Sequence, residues 1–299
     1  MPVMTETPSS LNRIAIGTAQ FGLDYGIGNR AGRLSVDEAR KIIERARSNG
    51  IGTLDTAMAY GDSEQRLGEI GIHGWQVVSK LPAIPEPSRD PSQWMTDSLH
   101  KSLERLRIGS LYGLLLHRPQ QLWEPGGDRI YQVLQEIKSG GLVRNIGISI
   151  YEPSELEALS SRYQFDLIQA PFSVVDRRLI DTGQLSRLSE QTTELHVRSI
   201  FLQGLLLMRP GDLPPAFARW VPLWAAWHEW LAGAGLTPLQ ACVRYALSFP
   251  AISKVIVGVD ALRQLDEILD AGMGPALEVD PRLQSHDVDL LNPSRWPSR

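Results

Sequence analysis

Short apolar runs alternate with amphipathic helical patterns along almost the whole chain. Eight runs have the length and the flanking turn residues of strands: a segment ending at Asp55, and residues 14–16, 76–79, 111–116, 143–148, 165–168, 196–201 and 254–257. Because the connections are short and helical patterns separate the runs, consecutive strands are predicted to be parallel, with right-handed crossovers. The pattern predicts an α/β fold, a closed (β/α)8 TIM barrel forming a single domain over residues 1–299, with residues 1–10 as a disordered tail.

Helix start signals support this order of elements. Ser35 followed three residues later by Glu38 has the pattern of a capping box. Thr237 followed by Pro238 predicts another helix start, after one long insertion over residues 204–236.

A doubly wound open sheet is the competing fold. It is disfavoured because no Gly-x-Gly-x-x-Gly follows the first strand.

Charge and composition argue against several classes of function. The formal net charge is −4, and no basic run with interleaved aromatic residues suggests nucleic-acid binding. No apolar segment is long enough to span a bilayer, and the start lacks the apolar core of a signal peptide. The single cysteine, Cys242, suits a reducing compartment, so a cytoplasmic protein is expected. The six histidines are scattered without metal-binding spacing, so no metal site is expected.

Four residues able to move or stabilise a proton follow successive predicted strands: Asp55, Tyr60, Lys80 and His117. The carboxyl ends of barrel strands open on one face, so these side chains are expected to converge there. A free tyrosine, with a pKa of about 10, exchanges protons poorly at neutral pH. A nearby ammonium held by a carboxylate would favour the tyrosinate, and an imidazole would orient a substrate oxygen or relay the proton. Each residue alone has commoner structural roles, so their convergence carries the catalytic hypothesis.

The motifs that contain these residues resemble signatures of the aldo-keto reductase superfamily. They are Leu54-Asp55-Thr56-Ala57 with Tyr60-Gly61 and Ser63-Glu64, then Ser79-Lys80, and Leu116-His117-Arg118. The resemblance extends over about residues 14–269 and implies a barrel that binds a nicotinamide cofactor, NADP or NAD, in extended form. It implies an NAD(P)-dependent oxidoreductase that transfers a hydride between nicotinamide and an aldehyde, ketone or sugar hemiacetal, with Tyr60 as general acid or base. The alternative is a cofactor-binding regulatory or interaction subunit with vestigial reductase activity.

The same resemblance implies which residues hold the cofactor. They lie at strand ends and in the following turns: Gly17, Thr18, Ala19, Asp55, Ser149, Gln169, Arg198, Phe201, Gln203, Gly204, Gly258, Gln264 and Glu267. Gly258 and Gln264 stand where members that prefer NADP often carry a lysine and an arginine, so both cofactors stay open. Arg198 stands where an aromatic ring often stacks on the nicotinamide. Its positive charge leads to the hypothesis that the site favours the reduced cofactor.

The implied substrate-binding residues surround the same face of the barrel: Gln20, Tyr25, Tyr60, His117 and Arg118. Arg118 suits an anionic substrate group, and it equally suits a salt bridge beside His117. Four tryptophans recur at helical spacing over residues 220–230. An amphipathic helix seated on the barrel is favoured over an aromatic wall that stacks on a sugar or an aromatic aldehyde. The expected partner is a small-molecule carbonyl or sugar, with neither nucleic acid nor membrane.

Overall fold

Eight parallel strands close into a barrel in which each strand pairs with the next and the last pairs with the first. In chain order they are β1 (Ile14–Gly17), β2 (Thr53–Asp55), β3 (Gln76–Leu81), β4 (Leu111–Leu116), β5 (Val143–Ser149), β6 (Leu167–Pro171), β7 (Glu194–Arg198) and β8 (Lys254–Gly258). The structure is a computed structural model that describes residues 10–29, 32–85 and 91–296. The predicted (β/α)8 barrel is confirmed, whereas the predicted tail lies, except for residue 10, outside the described residues.

Helices connect the strands and cover the outside of the barrel. They are α1 (Ala19–Gly22), α2 (Val36–Ser48), α3 (Ser63–Ile70), α4 (Pro91–Leu106), α5 (Gly127–Ser139), α6 (Pro153–Ser160), α7 (Arg178–Asp181), α8 (Gln184–Ser189), α9 (Val221–Ala234), α10 (Pro238–Leu247), α11 (Leu262–Gly272) and α12 (Val288–Leu291). Within the described ranges no helix is long and apolar enough to cross a membrane.

The two predicted helix caps are present, with one difference. Ser35 Oγ accepts a hydrogen bond from Glu38 N at 3.2 Å, and Thr237 Oγ1 accepts one from Gln240 N at 3.2 Å. The Glu38 carboxylate does not return to the start of its own helix. It accepts from Leu262 N at 2.8 Å instead, so this side chain ties α2 to the first residue of α11.

Two strands end three residues away from their predicted bounds, and the differences elsewhere are at most two residues. The run predicted over 196–201 forms a strand only to Arg198, because Ser199 has φ 62° and turns the chain away from the sheet. The run predicted over 165–168 begins at Leu167 and extends to Pro171, paired with β7 along its length. Polar residues, among them Ser149, Gln169 and Arg198, lie at or near the carboxyl ends of β5, β6 and β7.

The barrel interior is apolar beneath those polar residues. Val78, Leu115 and Leu167 form a fully buried cluster. Side chains alternate across a strand, so each of the three faces the same way as the residue two positions further on, Lys80, His117 or Gln169. The alternation therefore raises three polar side chains above an apolar layer, at the end of the barrel where the strands finish.

Candidate active site

A buried ion pair lies at the centre of this polar layer. Lys80 Nζ donates to Asp55 Oδ1 at 2.7 Å and to the Thr56 carbonyl oxygen at 2.8 Å. The two charged side chains are 1% and 6% exposed. The strand register pairs Asp55 with Val78, so Lys80 reaches back over the end of β2. Burial lowers the pKa of Lys80, and the Asp55 carboxylate opposes that effect.

Two predicted cofactor residues support this ion pair. Gln169 Nε2 donates to Asp55 Oδ2 at 2.6 Å, and Ser149 Oγ donates to Gln169 Oε1 at 3.1 Å. Ser149, the last residue of β5, is the register partner of Gln169 in the middle of β6, and both are buried. Both carboxylate oxygens of Asp55 are thus engaged, which fixes the carboxylate that holds Lys80. The structure thus joins Ser149 and Gln169, which the resemblance predicts to hold the cofactor, to Asp55 in one chain of hydrogen bonds.

Tyr60 lies above the ion pair, on the loop that follows β2. Its ring meets the His117 ring edge-on at a centroid distance of 6.0 Å, and Lys80 Nζ lies 5.0 Å from its ring centroid. The loop packs backbone to backbone on α1: a Cβ added at Gly22 would lie 1.8 Å from the Tyr60 carbonyl oxygen. Gly61, with φ 55°, lies on the Tyr60 side of this contact with Gly22 and allows the close approach because it has no Cβ. The Tyr60-Gly61 pair therefore fixes the phenol at the mouth of the barrel.

The electrostatics at Tyr60 differ from the expectation that Lys80 would favour the tyrosinate. Burial and the nearby Asp55 carboxylate raise the pKa of Tyr60, and the Arg198 guanidinium only partly opposes them. The Lys80 ammonium is already committed to Asp55 and Thr56. Tyr60 is therefore a protonated phenol at neutral pH, which suits a proton donor.

His117 is neutral at the same pH. Burial, followed by the charges of Lys80 and Arg198, lowers the pKa of His117 to about 4. A neutral imidazole can still donate one hydrogen bond. Tyr60 and His117 are thus two potential hydrogen-bond donors whose rings lie side by side at the mouth.

A cleft of ≈ 770 Å³ extends from Tyr60 to the start of α11. Most of the predicted cofactor and substrate residues line it: Gly17, Thr18, Ala19, Gln20, Tyr25, Asp55, Tyr60, Arg198, Phe201, Gln203, Gly204, Gly258, Gln264 and Glu267. Lys80, Ser149 and Gln169 are buried. His117 is half-buried beside Tyr60, and Arg118 is exposed next to it.

Two loops meet over the cleft. Gln203 Nε2, on the loop after β7, donates to Tyr25 Oη at 3.3 Å on the loop after β1. The loop after β7 is strained, since Ser199, Leu202 and Gln203 have φ of 62°, 47° and 52°. Each such residue costs about 1–3 kcal/mol, and strain of this kind clusters at ligand clamps. The covered cleft is therefore suited to an elongated ligand that lies beneath the loops.

Sequence reasoning missed the groups at the middle of the cleft. Thr237, Pro238 and Leu239, at the start of α10, line it together with Arg209. The positive end of the helix dipole and the Arg209 charge favour anions at such a place, whereas the backbone N–H groups of Thr237 and Gln240 are already bonded within the helix cap. The Thr-Pro cap signal was available in the sequence, whereas a lone arginine inside a long insertion carries no periodic signal.

The far end of the cleft carries carboxylates. Asp260 Oδ1 is buried without a hydrogen-bond partner in the described part of the chain, and burial raises the pKa of Asp260. Gln264 Oε1 accepts from Asp260 N at 2.7 Å, while Arg263 pairs with Glu267 at 3.0 Å. A Cβ at Gly258 would lie 2.4 Å from the Gln20 amide nitrogen. Gln20 thus fills the space where the resemblance places a lysine.

Arg198 lies at the near end of the cleft. Its guanidinium donates to the Ile150 carbonyl oxygen at 2.9 Å and to Ser199 Oγ at 3.3 Å. The guanidinium carbon is 4.6 Å from the centroid of the Tyr151 ring. Tyr151 was also missed, because a single aromatic residue after a strand has no distinguishing pattern.

The tryptophans of residues 220–230 do not line the cleft. Trp224 and Trp227 are buried beneath α9, and Trp227 Nε1 donates to the Leu206 carbonyl oxygen at 3.1 Å. The burial of these tryptophans supports the interpretation of α9 as a packing helix, which here also braces the strained loop.

Within residues 10–29, 32–85 and 91–296, no group of three His, Cys, Asp or Glu side chains lies close enough together to hold a metal.

Comparison with known proteins agrees with this geometry. The family model described as Aldo/keto reductase family matches residues 13–277. A D-threo-aldose 1-dehydrogenase from Pseudomonas sp is 28% identical over 228 residues, which are 64% of this chain and 69% of that protein. An uncharacterised oxidoreductase of Bacillus subtilis (strain 168), YqkF, is 25% identical over 308 residues, 91% and 95% of the two chains.

The solved structures that resemble this chain share its fold. The holo form of the aldo-keto reductase AKR11C1 from Bacillus halodurans superimposes with a TM-score of 0.72 at 21% identity, covering 89% of this chain and 88% of that one. The glycerol dehydrogenase AKR11B4 from Gluconobacter oxydans gives a TM-score of 0.67 at 20% identity, covering 96% and 93%. At such identities the likeness concerns the barrel alone.

Proposed function

Because the chain belongs to the aldo/keto reductase family, we propose that it is an NAD(P)-dependent oxidoreductase acting on an aldehyde, a ketone or a sugar hemiacetal. One observation carries the proposal above all. A protonated phenol and a neutral imidazole, with ring centroids 6.0 Å apart, lie at one end of a long covered cleft, directly above a buried Lys–Asp pair. Such a pair of donors suits the oxygen of a carbonyl group that gains negative charge as it is reduced.

The residues of the cleft fit an extended dinucleotide. The positive end of the α10 dipole and the Arg209 side chain, which both line the cleft, supply positive charge that suits a pyrophosphate. At the far end, the unpartnered Asp260 Oδ1 is suited to accept from a ribose hydroxyl. When bound, the cofactor supplies or accepts the hydride.

The chain's own residues would handle the proton. Tyr60 Oη donates its proton to the carbonyl oxygen as hydride reaches the carbonyl carbon, and His117 donates a hydrogen bond to the same oxygen. The phenolate that remains is stabilised by the Arg198 charge. The Lys80 ammonium, although it is bound to Asp55 and Thr56, lies 5.0 Å from the ring centroid and adds to that attraction. Asp55, held by Gln169, keeps Lys80 in that place.

The pH dependence should differ between the two directions. Reduction needs the Tyr60 hydroxyl protonated and His117 neutral; the raised pKa of Tyr60 and the His117 pKa of about 4 satisfy both conditions across the neutral range. We expect kcat for reduction to be flat from about pH 5 to pH 9, and kcat for oxidation to rise by about tenfold per pH unit there. Initial rates in both directions with one alcohol–carbonyl pair would measure this. A tenfold fall per unit in the reductive rate above pH 8 would contradict it.

NAD(H) is proposed as the preferred cofactor. Asp260 and Glu267 place negative charge at the far end, and the Arg263 charge is already paired with Glu267. A 2′-phosphate would be repelled there, whereas a free ribose hydroxyl would be accepted. We expect NADH to bind more tightly than NADPH, and Asp260→Asn to narrow the ratio of the two dissociation constants by about tenfold. Fluorescence titration measures both constants; an unchanged ratio in Asp260→Asn would contradict the assignment.

A panel assay tests the proposed function itself. Purified protein is mixed with reduced cofactor and with aldehydes, ketones and aldoses, and absorbance of the reduced nicotinamide is followed. Consumption that depends on both protein and carbonyl compound supports an oxidoreductase. Tight cofactor binding without consumption across the panel would favour a regulatory, cofactor-binding subunit instead.

A further inference from the structure

Arginine side chains give the mouth of the barrel a positive charge. Arg198 donates to two neutral acceptors, the Ile150 carbonyl oxygen and Ser199 Oγ, and lies over the Tyr151 ring. Arg118 is exposed next to His117. In the part of the chain that the structure describes, neither guanidinium forms an ion pair with a carboxylate.

The acids around the mouth are committed elsewhere. Asp55 is neutralised by Lys80 at 2.7 Å. Glu155 keeps its negative charge, but its two oxygens are turned to the Tyr151 backbone N–H, at 2.6 Å, and to the Gln120 side chain. The two groups that face the reacting position, Tyr60 and His117, are uncharged at neutral pH. A chain with a net charge of −4 thus surrounds a locally positive mouth, which attracts anions.

Arg198 is built to hold such an anion. A guanidinium has five N–H donors in a planar fork, and the two hydrogen bonds to Ile150 and Ser199 leave donors unused. Stacking on Tyr151 holds its plane, and partial burial strengthens a charge-assisted hydrogen bond relative to one in open solvent. Arg198 lines the same cleft as Tyr60, so one small molecule can reach both side chains.

We propose that the substrate is a carbonyl compound that also carries an anionic group, a carboxylate or a phosphate, which Arg198 binds while the carbonyl oxygen faces Tyr60 and His117. This inference rests on the proposed function and adds the substrate class to it. Arg118, the exposed residue that follows His117 in the chain, contributes attraction over a longer range.

Matched substrate pairs test the inference. Butanal and succinic semialdehyde differ by a carboxylate on a four-carbon chain, and glyceraldehyde and its 3-phosphate differ by a phosphate. In the wild type we expect at least one charged member to have a kcat/KM about tenfold or more above its neutral partner. In Arg198→Met that preference should fall by about tenfold or more, because the charged donor is lost. The pair that responds identifies the anion.

Two further measurements make the test independent of folding defects in the variant. Arg129→Met removes the same charge from an exposed ion pair with Glu136 on α5, and should leave the preference unchanged. In the wild type alone, rising ionic strength should raise KM for the charged member more than for its neutral partner, because salt screens the attraction.

Several outcomes would overturn the inference. One is an equal preference in the wild type and in Arg198→Met. Another is a variant whose only change is the ratio of dissociation constants for oxidised and reduced cofactor, which would assign the guanidinium to the nicotinamide ring. Reduction of neutral aldehydes without any preference for charged ones also contradicts it. If no carbonyl compound is reduced at all, it is the proposed function that fails.

Discussion

Replacement of Tyr60 by phenylalanine is expected to lower kcat for carbonyl reduction by about 10²- to 10⁴-fold. The variant lacks the proton donor and keeps the ring that packs edge-on against His117. The Tyr60 hydroxyl makes no side-chain hydrogen bond within the described residues, so its removal leaves no buried partner unpaired. We therefore expect the free energy of unfolding to change by about 0.5 kcal/mol or less, and the dissociation constant of the cofactor to stay within twofold.

A matched control distinguishes the loss of the proton donor from the loss of any phenol hydroxyl in the cleft. Tyr25 lines the same cleft and also carries a hydroxyl, which accepts from Gln203 Nε2. In Tyr25→Phe the clasp between the two covering loops is weakened, so cofactor affinity should fall while single-turnover hydride transfer at saturating cofactor changes little. The readout is stopped-flow decay of reduced nicotinamide absorbance for both variants. If Tyr60→Phe kept more than a tenth of the wild-type rate, Tyr60 would not be the proton donor.

The sequence was sufficient to predict which polar residues lie at strand ends, and most residues of the candidate site are of this kind. Asp55, Lys80 and His117 follow apolar runs whose alternation fixes which way each side chain points. The structure brings these three side chains and Tyr60 to one end of the barrel, as the alternation requires. The closed barrel could be predicted because one strand–helix pattern repeats eight times. That prediction holds even when each strand boundary is wrong by several residues.

Three features could not be predicted, each for a physical reason. The left-handed backbone at Ser199, Leu202 and Gln203 is strained, and non-glycine residues give no sequence signal for it, so β7 was extended too far. The raised pKa of Tyr60 depends on burial and on the Asp55 charge together, which only coordinates provide. The Gln169 side-chain amide could form hydrogen bonds with several different partners, and the sequence does not show that it donates to Asp55.

Replacement of Lys80 by methionine is expected to damage both stability and activity. Methionine has a similar length, and the loss of the ammonium would leave the Asp55 carboxylate buried without its ion-pair partner. Breaking a buried pair in this way costs about 3–5 kcal/mol of unfolding free energy. Activity should fall by about 10²-fold or more in folded protein, because the Lys80 ammonium is lost from beside the Tyr60 ring and only the Arg198 charge remains to stabilise the phenolate.

A double-mutant cycle makes this prediction specific to the pair. In Lys80→Met with Asp55→Asn, neither charge remains buried without a partner, so the double variant should be more stable than Lys80→Met alone by about 1–3 kcal/mol. Its reductase activity should stay low, because the cation that stabilises the phenolate is still missing. Urea unfolding followed by tryptophan fluorescence gives the stabilities, and reduced-cofactor consumption gives the rates. If the two losses of stability were simply additive, Lys80 and Asp55 would not act as a unit.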